Sequence, residues 1–134
     1  MPEFLKVFDE LRLDFAIIRV ANITHISKFI DEYGDVKYKA SLECNNYYII
    51  DKRCQSSYDY VSDVFDGKSD DFLEVSVINT QVKMVVSKNE IKSIHRSVDN
   101  DGVVVFYVYH RYVNSTEIRP TNTKSYEYIK SIWM

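Results

Sequence analysis

The sequence predicts an α+β fold: a mostly antiparallel sheet with about three to four helices packed over it. Three observations carry this. Apolar residues recur at helical spacing near the start, in the middle and at the end of the chain. Alternating and short continuous apolar runs fill most of the rest, dominating the second half. A length of 134 residues with 46% hydrophobic and 28% charged composition suits one globular domain spanning 1–134, and only 3 Gly and 2 Pro argue against a linker-rich chain.

Pro2 suits a helix start, and Phe4, Leu5, Phe8 and Leu11 follow at helical spacing, so 2–11 reads as a short amphipathic helix. Leu13 to Ala21 is nearly continuously apolar and reads as a buried central strand. Thr24 precedes an Ile26, Phe29, Ile30, Tyr33 stripe, and Gly34 stands where a helix C-cap would, which predicts a second helix. Val36 to Leu42 alternates with Lys37, Lys39, Ser41 and Glu43 as a half-exposed strand, and Tyr47 to Asp51 returns after Asn45-Asn46.

A third helix is expected over Tyr58 to Asp66, capped by Ser56 or Ser57 and stopped by Gly67. Phe72 to Ile78 and Val82 to Ser87 form a hairpin around Asn79-Thr80-Gln81. Ile91 to Val98 and Val103 to Val113 flank Asp99-Asn100-Asp101-Gly102, the strongest turn signal in the chain. Asn114 to Thr123, with Pro120, reads as a loop. A last helix carries Tyr126, Ile129, Ile132 and Trp133 on its apolar positions. No internal repeat is evident from this reading.

Three scattered glycines cannot build a phosphate-binding loop, which needs several at fixed spacing so that backbone N–H groups approach the phosphate. Cys44 and Cys54 stand ten apart, and His25, His95 and His110 lie far from both and from each other, so no zinc spacing is present and no metal or cofactor is expected. The cysteines are expected as free thiols of a cytoplasmic protein. A bridge between them across a hairpin is the alternative. No apolar run approaches the length of a membrane span.

Two sites stand out. Gln55 to Glu74 holds Asp59, Asp63, Asp66, Asp70, Asp71 and Glu74 against Lys68 alone. On the expected helix Asp59, Asp63 and Asp66 line the side opposite Tyr58, Val61, Val64 and Phe65. With Tyr58 and Tyr60 these acids suit docking to a basic partner protein, because tyrosine offers rigid contact area and charge speeds encounter. The bland reading is a solvated helix face.

The second is His95-Arg96 with His110-Arg111-Tyr112 on the strands flanking the Asp99–Gly102 turn. If pairing sums to 201 or 203, both histidines share a face and could serve as acid and base in metal-free phosphodiester cleavage, or the sheet could bind nucleic acid. A single-residue slip separates them. A surplus of two bases over 72–134 (8 bases, 6 acids) is a poor footprint for nucleic acid, and the sequence pI is about 5.6.

The expectation is therefore a small non-enzymatic inhibitor or accessory factor, of the immunity-protein or phage anti-defence and host-takeover kind. It would occlude a basic site on a toxin, nuclease or host factor through Tyr58, Asp59, Tyr60, Asp63, Asp66, Asp70 and Asp71. Nucleic-acid binding or a nuclease built on the His95/His110 sheet face is the alternative.

Overall fold

Along Phe4–Asp9 the exposed Phe4 and Lys6 alternate with the buried Leu5 and Val7, and this period of two makes the segment strand β1. It turns into β2 (Asp14–Arg19), and β3 (His25–Ile30), β4 (Val36–Ser41), β5 (Tyr47–Ile50) and helix α1 (Gln55–Phe65) follow. The second half runs β6 (Phe72–Val77), β7 (Lys83–Ser87), β8 (Ile91–Val98), β9 (Val104–His110), β10 (Thr116–Ile118) and α2 (Thr123–Trp133). The computed structural model describes residues 2–43, 46–80, 82–111 and 115–133, and within them the chain divides into two units, 1–68 and 69–134.

Each unit is an antiparallel five-stranded sheet with one helix. The order is β2-β1-β5-β4-β3 in the first and β7-β6-β10-β9-β8 in the second. Numbered within its own unit, each is 2-1-5-4-3 followed by a helix. The two units are the same fold, and they lie in register in the sequence. Phe4, Leu5 and Val7 recur 68 positions later as Phe72, Leu73 and Val75, and Ile23, Ile26 and Val36 as Ile91, Ile94 and Val104. Ser57, Tyr58 and Tyr60 recur as Ser125, Tyr126 and Tyr128. The 3-10 turns Val20–Asn22 and Lys88–Glu90 keep the same offset, as do the amide bonds entering them, Val20 N to Glu3 O and Lys88 N to Asp71 O, both 3.0 Å. The expectation of no internal repeat is overturned by this match of order, spacing and hydrogen bonds.

The cores match as well. Tyr38 on β4 packs on Tyr58 and Phe65 of α1 with ring centroids 5.3 Å away in each case. Phe106 on β9, 68 positions on, packs on Tyr126 at 5.4 Å and Trp133 at 5.6 Å. Val61 and Val64 complete the buried line of α1, and Ile129 sits at the position of Val61 in α2. Burying one such side chain stabilises a unit by roughly 1.5–3 kcal/mol.

Two α-helices among the described residues, not three to four, correct the expected fold class. Segment 2–11 is β1 and its hairpin turn. Segment 24–33 is β3 followed by a turn in which Gly34, at φ 83°, is a hairpin glycine and not a helix cap. Both segments carry apolar residues on two faces of a strand, a pattern that satisfies helical spacing equally well. The run 13–21 contains β2, which ends the strand order of its unit and is not central: Ile17 is 72% exposed. Thr116–Ile118 adds a strand inside the expected loop, three residues being too few to show a period.

Candidate partner-binding surface

Helix α1 begins where Asp51 accepts the Arg53 amide at 3.0 Å, closing the 3-10 turn Lys52–Cys54. Arg53 also grips the Asp51 carboxylate through Nε at 3.0 and 3.1 Å and Nη2 at 2.8 Å. This side-chain bonding holds the Asp51 carboxyl below its ordinary range. The helix ends at Asp66, whose amide returns to Ser62 O, and Gly67 at φ 76° turns the chain away.

Ser57, Val61 and Val64 face inward, leaving Asp59, Asp63 and Asp66 exposed. Gln55 donates to Asp59 at 2.8 Å, and Lys68 lies 3.5 Å from Asp63. Such a surface ion pair contributes little to stability. The tyrosines behave differently. Tyr58 is half-buried against Tyr38, and burial raises its phenol pKa; Tyr60 is also half-buried. Asp70 and Asp71 are exposed but belong to the second unit, at the entry to β6. The sequence-predicted surface thus resolves into an acidic stripe on α1, two tyrosines partly given to the core, and a separate acidic pair.

The histidine site fares otherwise. Strand β8 pairs with β9 so that His95 opposes Tyr107 and Ile94 opposes Val108, a sum of 202. His95 therefore shares a face with Tyr107 and Tyr109, and His110 points to the opposite one. His95 is exposed, hydrogen-bonded to Ser93 Oγ at 3.1 Å and edge-on to Tyr109 at 4.9 Å. His110 is buried, with Nε2 3.1 Å from Thr116 Oγ1. The Thr116 hydroxyl gives its proton to Val108 O, so His110 Nε2 carries the hydrogen of that bond. Burial keeps His110 below its ordinary pKa, and hence neutral. Two imidazoles on opposite faces cannot act on one phosphodiester. Arg96 and Arg111 are exposed, and Tyr112 lies outside the described residues.

Sequence reasoning misses a row of polar residues crossing the second sheet: His95, Tyr107, Glu117, Ser76 and Lys83, each paired with the next. Glu117 is buried, accepts Arg119 Nε at 2.6 Å, and Arg119 reaches Asp99 at 3.2 Å. Asn122 ties the row to α2, donating to Glu74 at 3.0 Å and bonding Ser76. The aperiodic stretch 114–123 conceals it.

Missed too is the open face of the first hairpin. There Lys6 sits 4.4 Å over Phe15, Arg19 4.5 Å over Phe4 and Arg53 3.9 Å over Phe8. Among the described residues no three His, Cys, Asp or Glu side chains gather as a metal site, and no helix is long and apolar enough to cross a membrane. Cys54 is a buried free thiol whose pKa burial raises; Cys44 lies outside the described residues. Comparison with protein-family models, with curated proteins and with solved structures finds no match to this chain.

Proposed function

We propose that the chain is a small non-enzymatic binding protein, an inhibitor or accessory factor, that occupies a basic site on a partner protein with the acidic face of α1. The observation that carries this is the contrast between equivalent helices. Each has 11 residues, and the inward Ser57 and Val61 and half-buried Tyr58 of α1 stand where Ser125, Ile129 and Tyr126 stand in α2. At the places of Asp59, Asp63 and Asp66 the second half has Glu127, Ser131 and Met134, and it adds Lys124 and Lys130. The inward residues are kept for packing and an acid stands at the place of Asp59 in both copies, but Asp63 and Asp66 belong to one copy alone, so those two carboxylates follow no requirement of the shared fold. A row of carboxylates on a rigid helix is suited to meet lysines and arginines that would otherwise hold phosphate, and it steers encounter over a distance of about a Debye length.

The test is the triple charge reversal Asp59→Lys, Asp63→Lys, Asp66→Lys. Because all three side chains are exposed, the expected melting temperature changes by no more than a few degrees. Association with the partner recovered by the wild-type chain is expected to slow at least tenfold at low salt, and the difference shrinks as salt rises. Association at an unchanged rate removes α1 from the binding surface.

A further inference from the structure

The sheet of the first unit has one face under α1, where Tyr38 meets Tyr58 and Phe65, and one face turned away from it. The strand registers put Lys6, Phe15 and Arg19 of the first hairpin on the second face, with Lys37 and Lys39 of β4 and Tyr47 of β5. Arg53 reaches it too, over Phe8. Three of these five cations are matched by carboxylates: Arg19 by Glu3 at 2.6 Å, Lys37 by Asp31 at 3.2 Å and Arg53 by Asp51 at 2.8 Å. Lys6 and Lys39 make no ion pair among the described residues. Each lies over an exposed ring instead, Lys6 over Phe15 at 4.4 Å and Lys39 over Tyr47 at 4.2 Å. A ring brings no counter-charge, so neither ammonium is neutralised by it. The acid excess of residues 1–68 hides this face, because Asp59, Asp63 and Asp66 stand on the helix that packs against the other one.

We infer that this face binds single-stranded nucleic acid, with bases stacked on Phe15 and Tyr47 and the adjoining phosphates held by Lys6 and Lys39. An exposed lysine-on-ring contact is weaker than a base stacked on the same ring. A base therefore takes the ring, and the lysine, tied to no carboxylate, swings to the phosphate beside it. Phe4 and Phe8 do not serve, since the guanidiniums over them are held in place by Glu3 and Asp51. Phe15 and Tyr47 stand on β2 and β5, the two neighbours of β1, so a strand laid across β1 reaches both.

Other polyanions fit less well. A duplex keeps its bases stacked on one another and has none to offer the rings. An acidic peptide meets the lysines and leaves the rings unstacked. The apolar hairpin tip that a bilayer needs, Leu11 and Leu13, stands among Asp9, Glu10 and Asp14, which an anionic surface repels.

Fluorescence anisotropy on the full chain tests this with labelled oligothymidylate and oligouridylate of about 12 nucleotides. Wild type is compared with the double variant Lys6→Ala, Lys39→Ala and with the double variant Phe15→Leu, Tyr47→Leu. The control is Lys28→Ala, Lys68→Ala, which removes the same charge from the helix face of β3 and from the end of α1. All four chains are checked for one circular dichroism spectrum, and each double variant reads the face by itself. Wild type is expected to bind with a Kd of about 10 μM at low salt. Loss of the two lysines is expected to weaken binding at least tenfold and to lower the slope of log affinity against log salt by about 1.4, or about 0.7 for each phosphate released. Loss of the two rings is expected to weaken binding at least tenfold with that slope unchanged, because stacking releases no counterions. The control stays within twofold of wild type. The tighter of the two oligomers names the sugar of the natural strand, and either one supports the proposal. No binding by wild type at 100 μM overturns it. So does a lysine variant no weaker than the control, a ring variant as tight as wild type, or preference for a duplex of the same length. Binding to phosphatidylserine vesicles with none to either oligomer assigns the face to a lipid surface and overturns it as well. None of these outcomes touches Asp59, Asp63 and Asp66, so this face and the acidic helix stand or fall separately.

Discussion

Asp31 and Asp99 occupy the same place in the two units and do the same work there. Asp31 Oδ1 accepts the amides of Tyr33 and Asp35, both at 2.9 Å, and Asp99 Oδ1 accepts those of Asp101 at 2.9 Å and Val103 at 3.0 Å. Those backbone bonds, with a cation beside each carboxylate, hold both carboxyls below the ordinary value of 3.8. A depressed carboxylate adds stability that is complete above the unfolded value and is lost as pH falls from there toward the folded value. Asp31→Ala and Asp99→Ala are therefore expected to lower the urea midpoint at pH 7 by similar amounts, with much of the loss gone at pH 3; Asn at either place recovers part of it. His110 works at a higher pH. Its folded pKa lies below 6.5, so its contribution is present above pH 6.5 and fades as pH falls and the unfolded chain takes up the proton first. His110→Gln keeps a donor for Thr116 and is expected to flatten the decline in stability between pH 7.5 and 5.5. An unchanged slope would place that titration elsewhere.

At the scale of elements, what could be read from the residues depended on whether one face or two needed apolar side chains. Strands β4, β8 and β9 have a polar face or a strong turn beside them and are legible, as are the helical stretches of α1 and α2; the cap expected at Ser56 or Ser57 is not one, because the 3-10 turn Lys52–Cys54 starts the helix earlier, at Gln55 behind Cys54, with no side-chain cap bond. Strands β1 and β3 are not. Phe4, Leu5, Phe8 and Leu11 are divided between the two faces of a hairpin, and Ile26, Phe29, Ile30 and Tyr33 between β3 and its turn, yet both sets also satisfy a helix. The information that separates the two lies 68 residues away. Ile26, Asp31, Gly34 and Val36 match Ile94, Asp99, Gly102 and Val104, where the turn is unmistakable, and aligning the halves carries that hairpin back to 25–41. The acidic side of α1 was legible for the same reason that the helix was, one face being apolar and one charged. The histidine pairing was not, because a shift of one in the β8–β9 register moves His110 across the sheet. Charge reversal on α1 is the element-scale test: it alters an exposed face without entering a core.

Over the whole chain, 134 residues hold two copies of one design, five strands in the order 2-1-5-4-3 and a helix over Tyr38 or Phe106. The copies keep what packing demands and differ on their surfaces. Residues 1–68 carry 12 acids and 9 bases, whereas 69–134 carry 8 of each. The acidic helix and the bare hairpin both belong to the first copy, and the buried Glu117–Arg119 cluster to the second. This division of labour rests on the equivalence of the units, which exchange of their helices tests most directly. Placing the sequence of residues 123–133 at 55–65 changes Val61 and Val64 to Ile and Phe65 to Trp, enlargements that cost about 1–3 kcal/mol in a packed core, and changes Ser62, whose hydroxyl bonds Tyr38 OH at 2.9 Å, to Lys, which costs about 1 kcal/mol more. The exchanged chain is expected to unfold cooperatively in urea, with an unfolding free energy lowered by no more than these costs together, and with dispersed amide resonances from β1, β4 and β5. A chain that loses its cooperative transition, or whose first-unit resonances collapse, would contradict the equivalence of the two halves.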